Sequence, residues 1–554
     1  MNSDVFVDGV FLRGPADWWR QAVIYQIYPR SFFDSNADGL GDIKGIISKV
    51  DYISSLGVDA VWLSPFYPSQ LADGGYDVDD YRDVDPKLGT LNDIDELTAA
   101  LHAKGIRIFV DIVPNHSSNL HVWFQEALRS PAGSAARNRY IFRDGRGANG
   151  ELPPSDLVSH FGPEGWTRVE DGQWYMHLFT REQPDFNWDN PEVHEEFLKT
   201  LKFWSDRGVD GFRVDVAHAL KKQLDPLPSR TGYDLSLMKA DGTDELFDRD
   251  EVHEIYKDWR QVFNQYDPPR VAVAEAWVHP NRVPAYASQS GLGQSFNFDL
   301  LVAEWSAPAF HKVIAENLKT AIETGSSSTW VMSNHDVIRH TTRLAIPGYG
   351  KSGNGFAEEN DWYINHRFEN SLDLQLGLER ALAATLLILA LPGSTYIYQG
   401  EELGLHDYVA MPDHLKQDPQ WFRGEGKFKS RDGCRVPLPW DESQPAYGFS
   451  SVLPHLPQPD WFAGQSVASQ ENNADSVLNL YRRAIKLRRE LEGAEELSWL
   501  SSDSKSFSFE RPGGWVCVTN FSESVIELPA GEVLLSSKRI TGEIPPNCTV
   551  WLKV

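Results

Sequence analysis

Three acids close three separate strand-like runs of this chain: Asp215 in VDGFRVDVAH, Glu275 in RVAVAEAW and Asp336 in WVMSNHD. Carboxylates gathered from distant parts of a chain suit the cleavage of a sugar acetal. A barrel of parallel strands can gather them, because each strand delivers one side chain to a shared rim. Arg213 alternates onto the same strand face as Asp215, where a guanidinium would hold that carboxylate ionised and aimed.

The elements that must position these groups are legible as β-type runs separated by amphipathic helical stretches, the alternation of an α/β architecture. Strands are read from Val23 (VIYQIY), Val58 (VDAVWLS), Ile106 (IRIFVDIV), Val209 (VDGFRVDV), Arg270 (RVAVAEAW), Ser295 (SFNFDL), Thr329 (TWVMSNH) and Ser394 (STYIYQG). Eight such units close a (β/α)₈ TIM barrel. The third and fourth runs stand too far apart for a single helix, so a subdomain is expected between them at 116–188, rich in Gly, Pro and aromatics, over the carboxyl end of the barrel. The barrel then comprises 18–115 and 189–493, after an N-terminal extension, 1–17. From 494 to 554 the sequence turns to β-type runs between turn signals, read as a small C-terminal antiparallel β-sandwich.

With 554 residues the chain has ample length for a large core, and its 19 Trp and 19 Tyr suit either sugar stacking or core packing. A net charge of −27 argues against nucleic acid, whose binding relies on basic phosphate contacts. Three scattered cysteines, Cys434, Cys517 and Cys548, read as free thiols of a reducing compartment. The start MNSDVFVDGVFLRG lacks a basic, apolar leader, and the longest apolar stretch, 381–391, is too short to span a bilayer. The expectation is a soluble cytoplasmic protein with no membrane partner, its oligomeric state open.

DIVPNH (111–116), GFRVDVAH (211–218), AEAW (274–277) and SNHD (333–336) resemble, in order and spacing, the four sequence regions of the α-amylase superfamily, glycoside hydrolase family 13. GGYDVDDY, QPDFNW and GSTYIYQGEELG agree with it as well, so the resemblance covers nearly the whole chain. QPDFNW and SRDGCRVPLPW are similar to segments of the oligo-1,6-glucosidase and α-glucosidase branch. The resemblance implies a retaining, exo-acting α-glucosidase that takes small α-glucosides. It assigns Asp215 as nucleophile, Glu275 as acid/base and Asp336 as support for the positively charged transition state. It further implies that Tyr76, Asp77, His116, Arg213, His335 and Arg431 bind the nonreducing glucose, with Asp111 an organiser.

A separate signal lies in DSNADGLGD, where Asp34, Asn36 and Asp38 alternate before Gly39 as at the start of a calcium loop. Gly45 at the twelfth position excludes an EF-hand. In the branch this loop holds one structural Ca²⁺ or Mg²⁺, with a carbonyl at Leu40 and an acid at Asp42. The other reading is an Asx-turn loop closed by hydrogen bonds.

Departures bear on specificity. SNHDVIRH lacks the Gln and Pro that many relatives carry after the catalytic Asp. Val216 after the nucleophile goes with α-1,6 tolerance, whereas VDVAH is closer to enzymes of maltose and short maltooligosaccharides. The reading adopted is α-1,4 hydrolysis, with oligo-1,6-glucosidase and glucosyl transferase or isomerase as alternatives. A noncatalytic relative is a remote one, because such relatives carry a membrane anchor and lack part of the carboxylate set.

Overall fold

The computed structural model describes residues 17–228 and 238–554, together with the backbone of two paired strands, Val5–Val7 and Val10–Leu12. The remainder of the expected N-terminal extension lies outside the described residues.

Eight parallel strands form one sheet: β1 (Val23–Ile27), β2 (Ala60–Leu63), β3 (Arg107–Ile112), β4 (Gly211–Val214), β5 (Val271–Ala274), β6 (Gly293–Ser295), β7 (Thr329–Val331) and β8 (Ser394–Tyr398). Neighbours in sequence are neighbours in space, and β8 pairs with β1. A parallel bridge between Asn297 and Trp330 joins the segment after β6 to β7 and closes the barrel. The sixth strand is therefore Gly293–Ser295 and not a run through SFNFDL; a short helix, Asp299–Val302, takes over at Asp299, where the Asn297 side chain caps its amide.

Strand alternation sorts the side chains. Ile24, Trp62, Phe109, Val273, Phe296 and Tyr396 fill the interior. Ile108, Val110, Ile112, Phe212 and Val214 face outward into the larger core under the helices. Burying a Phe such as Phe109 contributes roughly 1.5–3 kcal/mol. It also fixes a glycine, since a Cβ at Gly211 would lie 2.5 Å from the Phe109 ring.

The helices start where local chemistry tells them to. Thr90 and Asp93 form a reciprocal capping box for Leu91–Ala103. Asn190 caps Pro191–Asp206, with Pro191 in the first turn where its missing N–H costs nothing. The apolar helix Leu374–Ala390 is buried along its second half against the C-terminal sheet, to which it offers the Ala383 and Leu386 carbonyls. No described helix is long and apolar enough to cross a membrane.

Between β3 and β4 stands an antiparallel sheet of Phe142–Asp144, Trp166–Arg168 and Gln173–Met176. Its two ends meet where His116 bridges Asp185. The C-terminal region is a five-stranded antiparallel sheet of β9 (Ser498–Ser502), β10 (Ser506–Arg511), β11 (Trp515–Asn520), β12 (Glu532–Ser536) and β13 (Cys548–Lys553), with a ribbon of Ile526–Glu527 and Glu543–Ile544 over one face. Cys434, Cys517 and Cys548 are free and buried.

Candidate active site

The register of β3, β4 and β5 assembles the heart of the site. Asp111 pairs with Arg213 across β3 and β4, and Val214 with Ala274 across β4 and β5. Asp215 and Glu275, each one residue past its strand, are thereby brought to the same level of the rim. Arg213 serves all three carboxylates: Nη1 lies 2.6 Å from Asp215 Oδ1 and 3.0 Å from Asp111 Oδ1, and Nη2 lies 3.2 Å from Glu275 Oε2. It is buried, and its guanidinium is engaged by these acids.

One guanidinium among three carboxylates leaves excess negative charge in a dry place. Burial pushes the Asp215 carboxyl up; Arg213 pulls it back, and Glu275 and Asp111 push it up again. Asp111 is raised to about 6 by burial, against the pull of Arg213.

Val216 follows Asp215 with φ 43°, a left-handed conformation that a β-branched residue adopts only under constraint. The constraint is visible: its N–H donates to Glu275 Oε2 at 2.8 Å.

Asp336 stands opposite. Burial alone would raise its carboxyl, but the charges of Arg431 and Arg435 hold it well below the usual range. Arg431 Nη1 reaches its Oδ1 at 3.0 Å and Arg435 Nη2 at 2.8 Å. His335 is pushed down to about 3 by burial and is neutral. Gln26 donates to its Nδ1 at 2.7 Å, which leaves the proton on Nε2, beside Asp336 Oδ2 at 3.2 Å and the Tyr76 hydroxyl at 2.6 Å. Tyr76 stacks on His335 with planes 5° apart and donates to Asp111 at 3.0 Å. His116, likewise pushed to about 3 by burial, lies against Gln183 and the Tyr76 carbonyl.

Asp77 is placed otherwise than expected. Its carboxylate is enclosed by its own loop, accepting from Ser69 Oγ at 2.8 Å and from the amides of Gln70 and Asp73. It touches none of Asp215, Glu275 or Asp336. The acid that enters the site is Asp73, whose Oδ1 lies 2.7 Å from Arg431 and whose Oδ2 accepts from Gln183 at 3.3 Å. Arg431 is in turn braced by Asp418 at 2.7 Å, and its guanidinium lies 4.9 Å from the Phe161 ring centre. Asp73, Asp418 and Arg435 were not foreseen. The signals available were ADGGYD itself and the second Arg of SRDGCR.

The loop after β1 lies apart from these groups. Asp34 accepts from the amides of Asn36, Ala37 and Gly39 and from Ser450 Oγ. Asp38 accepts from the Leu40 amide and Asp42 from Ser35 and Gly45. Gly39, at φ 89°, would carry a Cβ 2.4 Å from the Leu453 carbonyl, so the 449–455 segment locks the loop. The candidate ligands are all oxygens, which suits a hard cation; each Asp34 oxygen and Asp42 Oδ1 already accept two hydrogen bonds, whereas Asp38 and Asp42 Oδ2 keep lone pairs for an ion. Among the described residues no three Asp, Glu, His or Cys side chains converge as a metal cluster. An ion here would lean on the Asn36 amide oxygen and the Leu40 carbonyl as well.

The profile described as "Alpha amylase, catalytic domain" matches residues 26–352 and 363–495. The chain belongs to the alpha-amylase family. An oligo-1,6-glucosidase of Parageobacillus thermoglucosidasius is 34% identical to this family member over 92% of each chain. An alpha-glucosidase of Apis mellifera is 32% identical over 95% of this chain and 89% of its own. Among solved structures, the alpha-glucosyl transfer enzyme XgtA superposes with a TM-score of 0.82 at 32% identity, covering 97% of this chain and 99% of its own. A trehalulose synthase, MutB, does so with 0.80 at 29% identity, covering 97% and 100%.

Proposed function

We propose that this enzyme is a retaining, exo-acting α-glucosidase that releases α-D-glucose from the nonreducing end of maltose and short α-glucosides. The observation that carries the reading is the meeting of Asp215 and Glu275 on one buried Arg213 at the register-matched ends of β4 and β5. Asp215 attacks the anomeric carbon and forms a β-glucosyl ester while Glu275 protonates the departing oxygen. Glu275 then takes a proton from water, whose oxygen displaces Asp215, and two inversions give net retention. Asp336, held ionised by Arg431 and Arg435, steadies the oxocarbenium-like charge in the transition state of each step. Asp73, Arg431, His116, His335 and Tyr76 frame the glucose.

The names of the relatives support both linkages, and the strained Val216 sits where linkage preference is read. Transfer in place of hydrolysis is the second reading, favoured by the fit to XgtA over 97% of the chain. One structural Ca²⁺ or Mg²⁺ is proposed at Asp34, Asn36, Asp38, the Leu40 carbonyl and Asp42, outside the chemistry. Three buried free thiols support a cytoplasmic location, and the net charge of −27 supports the absence of a nucleic-acid partner.

The test is glucose release from maltose, maltotriose, isomaltose, sucrose, trehalose and starch, with the first anomer followed by NMR. α-Glucose from short maltooligosaccharides and little from starch is the expected result. A maltose to isomaltose ratio below one moves the assignment to oligo-1,6-glucosidase, and transfer products in place of glucose move it to a transferase.

A further inference from the structure

Glu275 has partners that do not meet the sugar. Its Oε2 accepts from the Val216 N–H at 2.8 Å and its Oε1 from the indole Nε1–H of Trp277 at 2.9 Å. The indole is itself held. It lies flat on Phe298, ring centroids 3.8 Å apart and planes 8° apart, and the edge of Phe356 closes the slot at 5.4 Å. Phe298 comes from the segment after β6, and Phe356 from the first turn of Gly355–His366 in the β7–β8 connection. Behind Phe356, Lys429 Nζ lies 5.1 Å from the ring centre and pairs with the buried Glu359.

We infer that Trp277 is a positioning residue for Glu275, set at its angle by the Phe298–Phe356 slot; this rests on Glu275 as the acid/base. A Glu side chain has a broad, soft terminal torsion, so its carboxyl turns freely unless both oxygens are tied. Here both are tied by N–H donors; Oε2 also faces Arg213 Nη2 at 3.2 Å, so Oε1, which accepts from the indole, is the oxygen with a lone pair for the catalytic proton. In the first step that proton passes from Glu275 to the glycosidic oxygen as the C–O bond breaks and the Asp215 ester forms. The negative charge left on Glu275 falls where the Trp277 and Val216 N–H groups already point. In the second step a water proton returns to Glu275 while the water oxygen takes the anomeric carbon and the ester bond breaks. The indole therefore assists most where the leaving group most needs a proton.

The experiment compares maltose, whose sugar leaving group needs protonation, with α-glucosyl fluoride, whose fluoride needs little. Trp277→Phe keeps the stack and removes the N–H. Its kcat/KM on maltose is expected to fall about 10- to 100-fold, up to the lower end of the ~10²–10⁴-fold that general-acid catalysis contributes, mostly through kcat, with a fall at least five times smaller on the fluoride. Equal falls on both substrates, or none on maltose, overturn the inference. Phe356→Leu, which leaves the indole N–H in place and loosens its slot, is expected to give the same leaving-group dependence in weaker form. It decides the matter if Trp277→Phe does not fold, and an equal effect on both substrates counts against the slot. Glu275→Ala with azide separates the two readings: α-glucosyl azide from the fluoride, with maltose turnover lost, upholds Glu275 as acid/base whatever Trp277 does. Retained maltose turnover in Glu275→Ala removes the premise itself.

Discussion

Asp73 lies 2.7 Å from Arg431, although 358 residues separate them in the chain. The pair ties the β2 loop to the segment after β8 and sets the Asp73 side chain beside Gln183 and the Arg431–Asp336 contact.

Asp73→Asn is expected to lower kcat/KM on maltose. Removing one partner of an enclosed ion pair costs about 3–5 kcal/mol, and part of that loss reaches the sugar through the displaced Arg431. Asp77→Asn, by contrast, puts an amide NH2 in place of one of the two oxygens that accept from Ser69, Gln70 and Asp73 and is expected to lower Tm more than kcat. Steady-state kinetics beside thermal melts separates the two; a larger catalytic loss in Asp77→Asn, with Tm unchanged, would return the sugar-binding role to Asp77.

Asp215→Ala is expected to lose turnover by on the order of 10⁴-fold, the scale of losing one member of a catalytic group. With azide and α-glucosyl fluoride it should form the β-glucosyl azide, because the anion takes the place of the missing carboxylate. Product NMR reads the anomer. An α-azide, or activity near that of the parent, contradicts the assignment.

Arg213→Lys is expected to reduce both Tm and kcat. A lysine offers no planar fork to Asp111, Asp215 and Glu275 together, so carboxylates held 2.6 to 3.2 Å from Arg213 would share one point charge. Wild-type kinetics in this variant would show that Arg213 does not align the pair.

Stability is expected to peak near pH 6.5. His116, His218 and His335 are pushed to about 3 by burial, and His121, His177 and His406 to about 4. As pH falls below about 6.5, these histidines take protons in the unfolded chain and not in the folded one, so stability drops. Burial raises Glu401 to about 8 and Asp407 to about 7. From about pH 4 upward the folded chain alone keeps those protons, so these two acids oppose the histidines on the acid side. Their stabilisation continues to fall above about pH 6.5 until pH passes 7 and 8. Asp77 and Asp111, each raised to about 6, oppose the acid-side loss and are outnumbered by the histidines. Tm measured from pH 5 to 9 checks the curve; a monotonic rise to pH 9 would contradict it.

EDTA is expected to lower Tm, and Ca²⁺ or Mg²⁺ to restore it, through the Asp34–Asp42 loop, with kcat unchanged while the protein remains folded. Asp38→Ala should abolish the response. A Tm indifferent to both treatments identifies the loop as one closed by its own Asx turns.

The barrel was legible because its information is local: eight β-type runs, their alternation and the capping residues between them each act within a few positions. The same holds for Asp215 and Glu275, since a residue just past a parallel strand reaches the rim whatever surrounds it; Asp336 sits farther on, in the turn that follows β7 (Thr329–Val331). The choice between Asp73 and Asp77 was not local. Gly74 and Gly75, at φ 58° and 107°, reverse the chain between them. One acid is left under its own loop and the other against Arg431, and spacing is blind to that reversal. The sequence by itself therefore determined the architecture and the barrel segments that carry the three candidate acids. Their partners were decided only by the tertiary structure: the Arg213 cluster, the Asp73–Arg431–Asp418 brace and the slot around Trp277 all join groups from different barrel loops. Their energies exist only once burial has removed water from between them.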